Sequence, residues 1–329
     1  MYIDVFPQFT SSEIQSAMTE ASENPQVRGV LFHPGTYNRV ADLKLRDNVH
    51  LRGFGAHNTI IRPPYAPGRA IRISQDLTRN VQISDLTFQS NGTLSWDNTA
   101  ISIPAGIENL TIERCVFRGW ANCGVAIASV NQARNLRFLD CEVRGDNIVS
   151  AAGISICGAE LVRVRGCDFY DVARPVSFEG DANRHVRHVW VTECAAFRTR
   201  TSTLSASNGG IGVHIQPEDS HVNNVVIAHN QFEDTIGVDI GLLASQPGDH
   251  ANVVIVGNIS TGQTADNPVT NLPSIAISRW GDIVIVGNLL NEPGGTFPHY
   301  GIHGWEMVGP VESSGNLISD EFSPKEVYT

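Results

Sequence analysis

Residues 109–128, NLTIERCVFRGWANCGVAIA, hold one copy of a pattern that recurs along most of the chain. An Asn opens it, apolar residues alternate with polar ones, and a turn residue (Cys, Asn, Asp or Gly) leads to a second short apolar stretch. A Gly-led run with alternating apolar residues closes it. The opening returns at Asn48, Asn80, Asn135, Leu161, His188, Asn224, Asn252, Asp282 and, more loosely, Pro310. Counted at the turn residue, the ladder reads Gly53, Asp85, Cys115, Cys141, Cys167, Cys194, Asn230, Asn258, Asn288, Asn316, in steps of 26 to 36 residues. A period of that length marks a solenoid. Within a copy the apolar residues recur every second position, which is the period of a strand, and each copy divides into three strands. The sequence therefore predicts an all-β chain. It is a single right-handed parallel β-helix of about nine or ten coils over residues 31–320, with a cap containing an amphipathic helix over residues 1–30 and a tail over residues 321–329.

The cysteines follow from this reading. Cys115, Cys141, Cys167 and Cys194 occupy the turn that Asn230, Asn258, Asn288 and Asn316 occupy in later coils. Stacked like side chains at a tight bend are a structural device, with amides bonding up and down and thiols filling the same small space. Zinc would call for close pairs such as C-x-x-C, and none is present. The expected metal complement is none, with calcium left open by the acidic loops although no calcium motif occurs. Disulfides between neighbours in the ladder are open to this spacing but not forced by it, and the pattern fits a reducing compartment.

The 329 residues carry a formal net charge of -11, which argues against nucleic acid as a partner. Only Lys44 and Lys325 are lysines, and neither falls in a candidate site, so Schiff-base chemistry is not expected. No run of about 18 apolar residues and no basic-then-apolar leader is visible, which predicts no membrane partner and a cytoplasmic protein. A phage particle and a secreted form with its leader removed are the alternatives.

Near the N-terminus, Thr10, Ser11 or Ser12 can cap a helix whose apolar face is Ile14, Ala17, Met18 and Ala21, with Asn24-Pro25 ending it. Then comes VLFHPGTYNRVADLKLRDNVHLRGFGAHNTIIRP, residues 30–63. Its order of strand, Pro-Gly-Thr-Tyr turn and strands resembles the first coil of the pectin-lyase-like β-helix superfamily, which includes pectate-lyase-type domains and phage tailspikes. That resemblance implies the fold over nearly the whole chain. It does not carry catalytic residues across. The paired aspartates of polygalacturonase-like members are missing, and Arg174-Pro175 is a fragment of the Arg-x-Pro-x-x-Arg setting of the lyases, with Ser177 and Phe178 inside it.

A site must then be argued from coil geometry. With apolar residues of the Gly-led strands inward, one outward row reads Arg72, Ser102, Ala126, Ser155, Ser177, His214, Asp239, Ala276, His303. A second reads Ser74, Pro104, Ala128, Cys157, Glu179, Gln216, Gly241, Ser278, Trp305. Small residues dominate, and the large polar exceptions gather at Glu179, His214, Gln216 and Asp239, as a groove for an extended ligand requires. His214 beside Asp239 forms a candidate general base with its orienting carboxylate, and Glu179 a candidate acid. The bland reading is solvated outward residues. Arg174, Arg198 and Arg200, in loops before these strands, offer cations for a substrate carboxylate, or are ordinary surface arginines. Trp96 and Trp120 either stack on sugar rings or close loops over the core. Phe88, Phe117, Phe169, Phe197 and Phe232 read as a core stack.

In the C-terminal coils, Val226, Val254 and Val284 face outward in successive strands. Such a strip is expected to be covered by the C-terminal tail or by another subunit in a homo-oligomer. Three functions fit. The first is a carbohydrate-active enzyme (lyase, glycoside hydrolase or epimerase) acting on a polysaccharide or oligosaccharide in the outer groove. The second is an intracellular isomerase or cyclase of a small-molecule substrate in the same groove. The third is a non-catalytic structural or glycan-binding β-helix.

Overall fold

Each copy of the repeat folds as three strands separated by bends, and successive copies pair in parallel. The computed structural model describes residues 1–38, 42–63, 68–73, 77–92, 94–181, 183–204, 210–217, 221–245, 251–261, 273–291, 301–318 and 326–329. Three faces run along the solenoid. The Gly-led strands, among them the first part of Cys123–Leu139, then Val172–Gly180, Ile211–Pro217 and Val238–Leu243, make the groove face. The strands opened by the repeat's Asn, such as Val222–Ala228 and Ala251–Val256, make the valine face. Short strands such as Val116–Arg118 and Gln231–Glu233 make a narrow face, eleven strands deep among the described residues. Inward residues of all three meet in one continuous core.

Two ladders fix the corners. The thiols of Cys115, Cys141, Cys167 and Cys194 donate to the carbonyls of Ile83, Ile112, Phe138 and Val164, with S···O distances of 3.7, 3.6, 3.6 and 3.8 Å. Asn230 takes over the same role, its Nδ2 donating to Val191 O at 3.0 Å, and it also bonds Asn258 Oδ1 at 2.9 Å. Asn258, Asn288 and Asn316 continue the chain at 3.0 Å per step. Pairing of Val116 with Thr87 and Phe117 with Phe88 sets Cys115 against Leu86, so Asp85 and Gly53 stand one residue before the ladder. The second ladder is the opening Asn itself. Asn48, Asn80, Asn109 and Asn135 all have φ between 54° and 61°, which Asn tolerates better than other side chains. Their amides join at 2.8, 2.9 and 2.7 Å.

The aromatic stack is real but its membership differs from the sequence reading. Phe88 and Phe117 lie stacked at 5.4 Å, and Phe169 and Phe232 are buried. Phe197 pairs with Tyr170, and Ala196 takes the core position. The CAAF spacing carries one residue more than the CVF of Cys115, which turns Phe197 outward onto the Tyr170 ring at 4.9 Å.

The cap helix spans Ser11–Glu23, with Thr10 as N-cap in a capping box with Glu13 and with Ile14, Ala17, Met18 and Ala21 buried. A strand missed by the sequence reading, Tyr2–Val5, precedes it and pairs with Gly29–Phe32. Of the tail, Glu326–Tyr328 pairs with the Ile302–Trp305 strand and so extends the groove face. Its described part does not cover the valine strip. Among the described residues, no helix is long and apolar enough to cross a membrane.

Candidate functional site

Four residues of the groove face form one hydrogen-bonded chain. Ser177 pairs with His214 across adjacent coils, and its hydroxyl lies 3.1 Å from His214 Nδ1. The same hydroxyl lies 3.3 Å from Glu179 Oε1, which also accepts from Arg174 Nη1 at 3.2 Å. Gln216 stands beside Glu179 in the register and two residues from His214 on the same strand, where it favours the protonated imidazole. Each member is there for a local reason. Ser177, Glu179, His214 and Gln216 alternate with the inward Val176, Phe178, Val213 and Ile215, and Arg174 stands at the corner where its strand enters the face.

Burial separates their roles. His214 is 1 % exposed, and desolvation, reinforced by the Arg174 charge, pushes its pKa down to about 3 against the raising effect of Gln216. The ring is therefore neutral at pH 7 and carries no spare proton. Since the Ser177 hydroxyl has a single proton, donating it to the carboxylate requires His214 Nδ1–H to donate to Ser177. That tautomer gives a directed chain from His214 through Ser177 to Glu179. Glu179 is the reachable end, its side chain 41 % exposed. Both its bonds fall on Oε1, and Oε2 takes none from a described residue.

Asp239 is not in this chain, which corrects the sequence-based pairing. GVHI at 212–215 and GVDI at 237–240 look alike, but the register joins Ile211 to Val238, Val213 to Ile240 and His214 to Gly241. The likeness is two residues out, because Gly210 and Gly237 stack at the corner. A Cβ on Gly237 would lie 2.2 Å from Gly210 O. Asp239 consequently sits opposite Gly212, turned into the core at 1 % exposure, with its carboxylate accepting from Ser260 Oγ at 2.5 Å. Ser260 stands where the preceding coil has Phe232, and the missing ring leaves room for the acid.

The remaining candidates lie elsewhere. Trp120 is buried and donates its indole N–H to Phe88 O at 2.9 Å, so it closes a loop over the core. Trp96 is 52 % exposed but precedes the Thr99–Ile103 strand, four coils or about 19 Å from His214. Arg198 makes a two-pronged bond to Asp171, at 3.0 and 2.8 Å, and Arg200 is held by the Asp234 carboxylate. Of the sequence-derived set, the structure brings together Glu179, His214, Gln216 and Arg174. Ser177 is the member that sequence reasoning passed over, although its hydroxyl stood in the His214 row. Ser74 lies outside the described residues. No group of three His, Cys, Asp or Glu side chains able to hold a metal ion occurs among the described residues.

Three stacked faces, a capped end and an outer groove can be set against known proteins. A family model described as the right handed beta helix region matches residues 69–290. The chain belongs to the right-handed β-helix family. No curated protein matches it by sequence. Similar solved β-helices include an endo-xylogalacturonan hydrolase from Aspergillus tubingensis, at 13 % identity and a TM-score of 0.62 over 98 % of this chain and 94 % of that one. The DFA-IIIase of Arthrobacter chlorophenolicus A6, solved with GF2, gives 12 % identity and 0.66 over 95 % and 85 %. A surface adhesin of Streptococcus pneumoniae, PfbA, gives 14 % and 0.54 over 97 % and 91 %. At such identities the likeness establishes the parallel β-helix fold and no shared chemistry.

Proposed function

We propose that this β-helix is a carbohydrate-active enzyme that takes an extended polysaccharide or oligosaccharide along its groove face, with Glu179 as the proton-transfer group. The observation that carries this reading is the His214–Ser177–Glu179–Arg174 chain, a prepared carboxylate on a face whose outward rows are mostly small residues. The occurrence of carbohydrate hydrolases among proteins of this fold supports it at the level of class. Hydrolysis by two flanking carboxylates finds poor support, because Asp239 leaves the face and Glu179 is the only carboxylate in the two outward rows from Arg72 to Trp305 among the described residues. A single carboxylate beside a cation better suits removal of the proton alpha to a uronate carboxylate. Glu179 Oε2 would take the proton, and Arg174 would hold the substrate carboxylate as the electron pair passes into it. Return of that pair would form the C=C bond and break the β C–O bond, the departing sugar oxygen taking a proton from water.

The test is incubation of the protein with uronate-containing and neutral polysaccharides, following new reducing ends and the ultraviolet absorbance of unsaturated uronates. Glu179→Gln is expected to lose on the order of a hundredfold or more of the rate, since it removes the proton acceptor. Asp239→Asn, altered only in the core, is expected to keep it. Reducing ends without absorbance would replace elimination by hydrolysis. Full activity in Glu179→Gln would remove Glu179 from the site, and inertness on every glycan despite retention on immobilised polymer would leave a binding module.

A further inference from the structure

The valine face carries a gradient along its central outward row. Register pairing orders it as Arg137, Arg163, Trp190, Val226, Val254, Val284, Glu312, one residue per coil. Arg137, Arg163 and Glu312 are exposed, while Trp190 and the three valines are half-buried. The Arg163 guanidinium lies over the Trp190 ring at 5.2 Å. A shallow depression of about 490 Å³ follows Trp190 and the valines. One end is therefore basic, the middle aromatic and aliphatic, and the other end acidic.

We infer that this face binds a second copy of the same chain in antiparallel orientation, about a two-fold axis passing through Val226. Charge complementarity selects that occupant. Strands lie about 4.8 Å apart, so Arg137 and Glu312 both stand three strands, about 14 Å, from Val226 on opposite sides. The two-fold therefore brings Arg137 of each copy to Glu312 of the other, Trp190 to Val254, and Val226 to itself, as an isologous interface requires. A parallel face-to-face arrangement would set Arg137 and Arg163 against their own copies and be opposed by like charge. Seven strands and a few residues of width give on the order of 500 Å² per partner, the lower end for a specific interface, so the dimer exchanges with monomer at micromolar concentrations.

The experiment is sedimentation equilibrium of the whole chain over a range from micromolar to several hundred micromolar. The 35.7 kDa chain is expected to approach twice its mass at the upper end. Arg137→Glu and Glu312→Arg should each weaken dimerisation about tenfold, and the double variant should recover it, because the two exchanged charges would again meet as opposites across the two-fold. In a Cys157→Ser background, Val226→Cys should oxidise to a covalent dimer and Val284→Cys should not, which keeps the test independent of any surface variant that folds poorly. A monomer throughout, a double variant no better than the singles, or stronger association of Arg137→Glu alone would each overturn the assignment.

Discussion

At position 214 the surroundings override the usual behaviour of histidine. An imidazole in water takes up a proton near pH 6.5, but His214 lies under the groove with its protonated form desolvated and opposed by Arg174, and its pKa falls to about 3. The folded state thus holds the neutral ring while the unfolded chain protonates it. Above about pH 6.5 both states are neutral and the group is silent. As pH drops towards 3 the unfolded state gains protons that the folded state refuses, and stability is lost at up to about 1.4 kcal/mol per pH unit. His214→Gln retains a hydrogen-bonding side chain for Ser177 but cannot titrate. Urea unfolding at pH 7, 5.5 and 4.5 should therefore show a shallower decline in the variant than in the wild type. Parallel declines would mean that the ring is solvated and free to protonate, returning His214 to the role of general base.

Among the elements, what the sequence could announce were features repeated in every coil. The period, the strands and the exchange of Cys115-type thiols for Asn230-type amides could all be read because identical contacts impose identical residues. The cap helix was legible for its own reason, the helical spacing of Ile14, Ala17, Met18 and Ala21 behind a capping residue. Contacts formed once could not. The two-residue offset of Asp239 depends on Gly210 stacking on Gly237, and the inward turn of Trp120 depends on Phe88 O, and neither leaves a periodic trace. The amide ladder permits a direct test of a repeated contact. Asn258 donates to Ile227 O and to Asn288 Oδ1 at 3.0 Å each, and its own Oδ1 accepts from Asn230 N and Nδ2 at 3.0 and 2.9 Å. Asn258→Ala strands these buried partners and should cost about 2–4 kcal/mol in urea unfolding. Asn258→Cys, which restores only the weak donor of the thiol coils, should fall between alanine and wild type. A loss under about 0.5 kcal/mol in the alanine variant would mean that the ladder follows the bend without holding it.

For the molecule as a whole, the solenoid makes stability local. Strand pairing joins each coil to the ones before and after it, so a defect acts on its neighbours and fades with distance. The cap is where this matters most, because it closes the one end of the core that has no preceding coil. Its helix inserts Met18, fully buried, and Gln15 bonds both backbone groups of Lys44, at 3.0 and 2.7 Å, finishing the edge of the first groove strand. Met18→Ala leaves a cavity worth about 2–5 kcal/mol at that end. The expected signature is a loss of hydrogen-exchange protection in the strands Gly29–Phe32 and His50–Gly53 while the amides of Val222–Ala228 and Ala251–Val256 exchange as in the wild type. Protection lost equally along the chain would show that the coils unfold as a single cooperative unit, and that the cap stabilises the whole β-helix instead of its first turns.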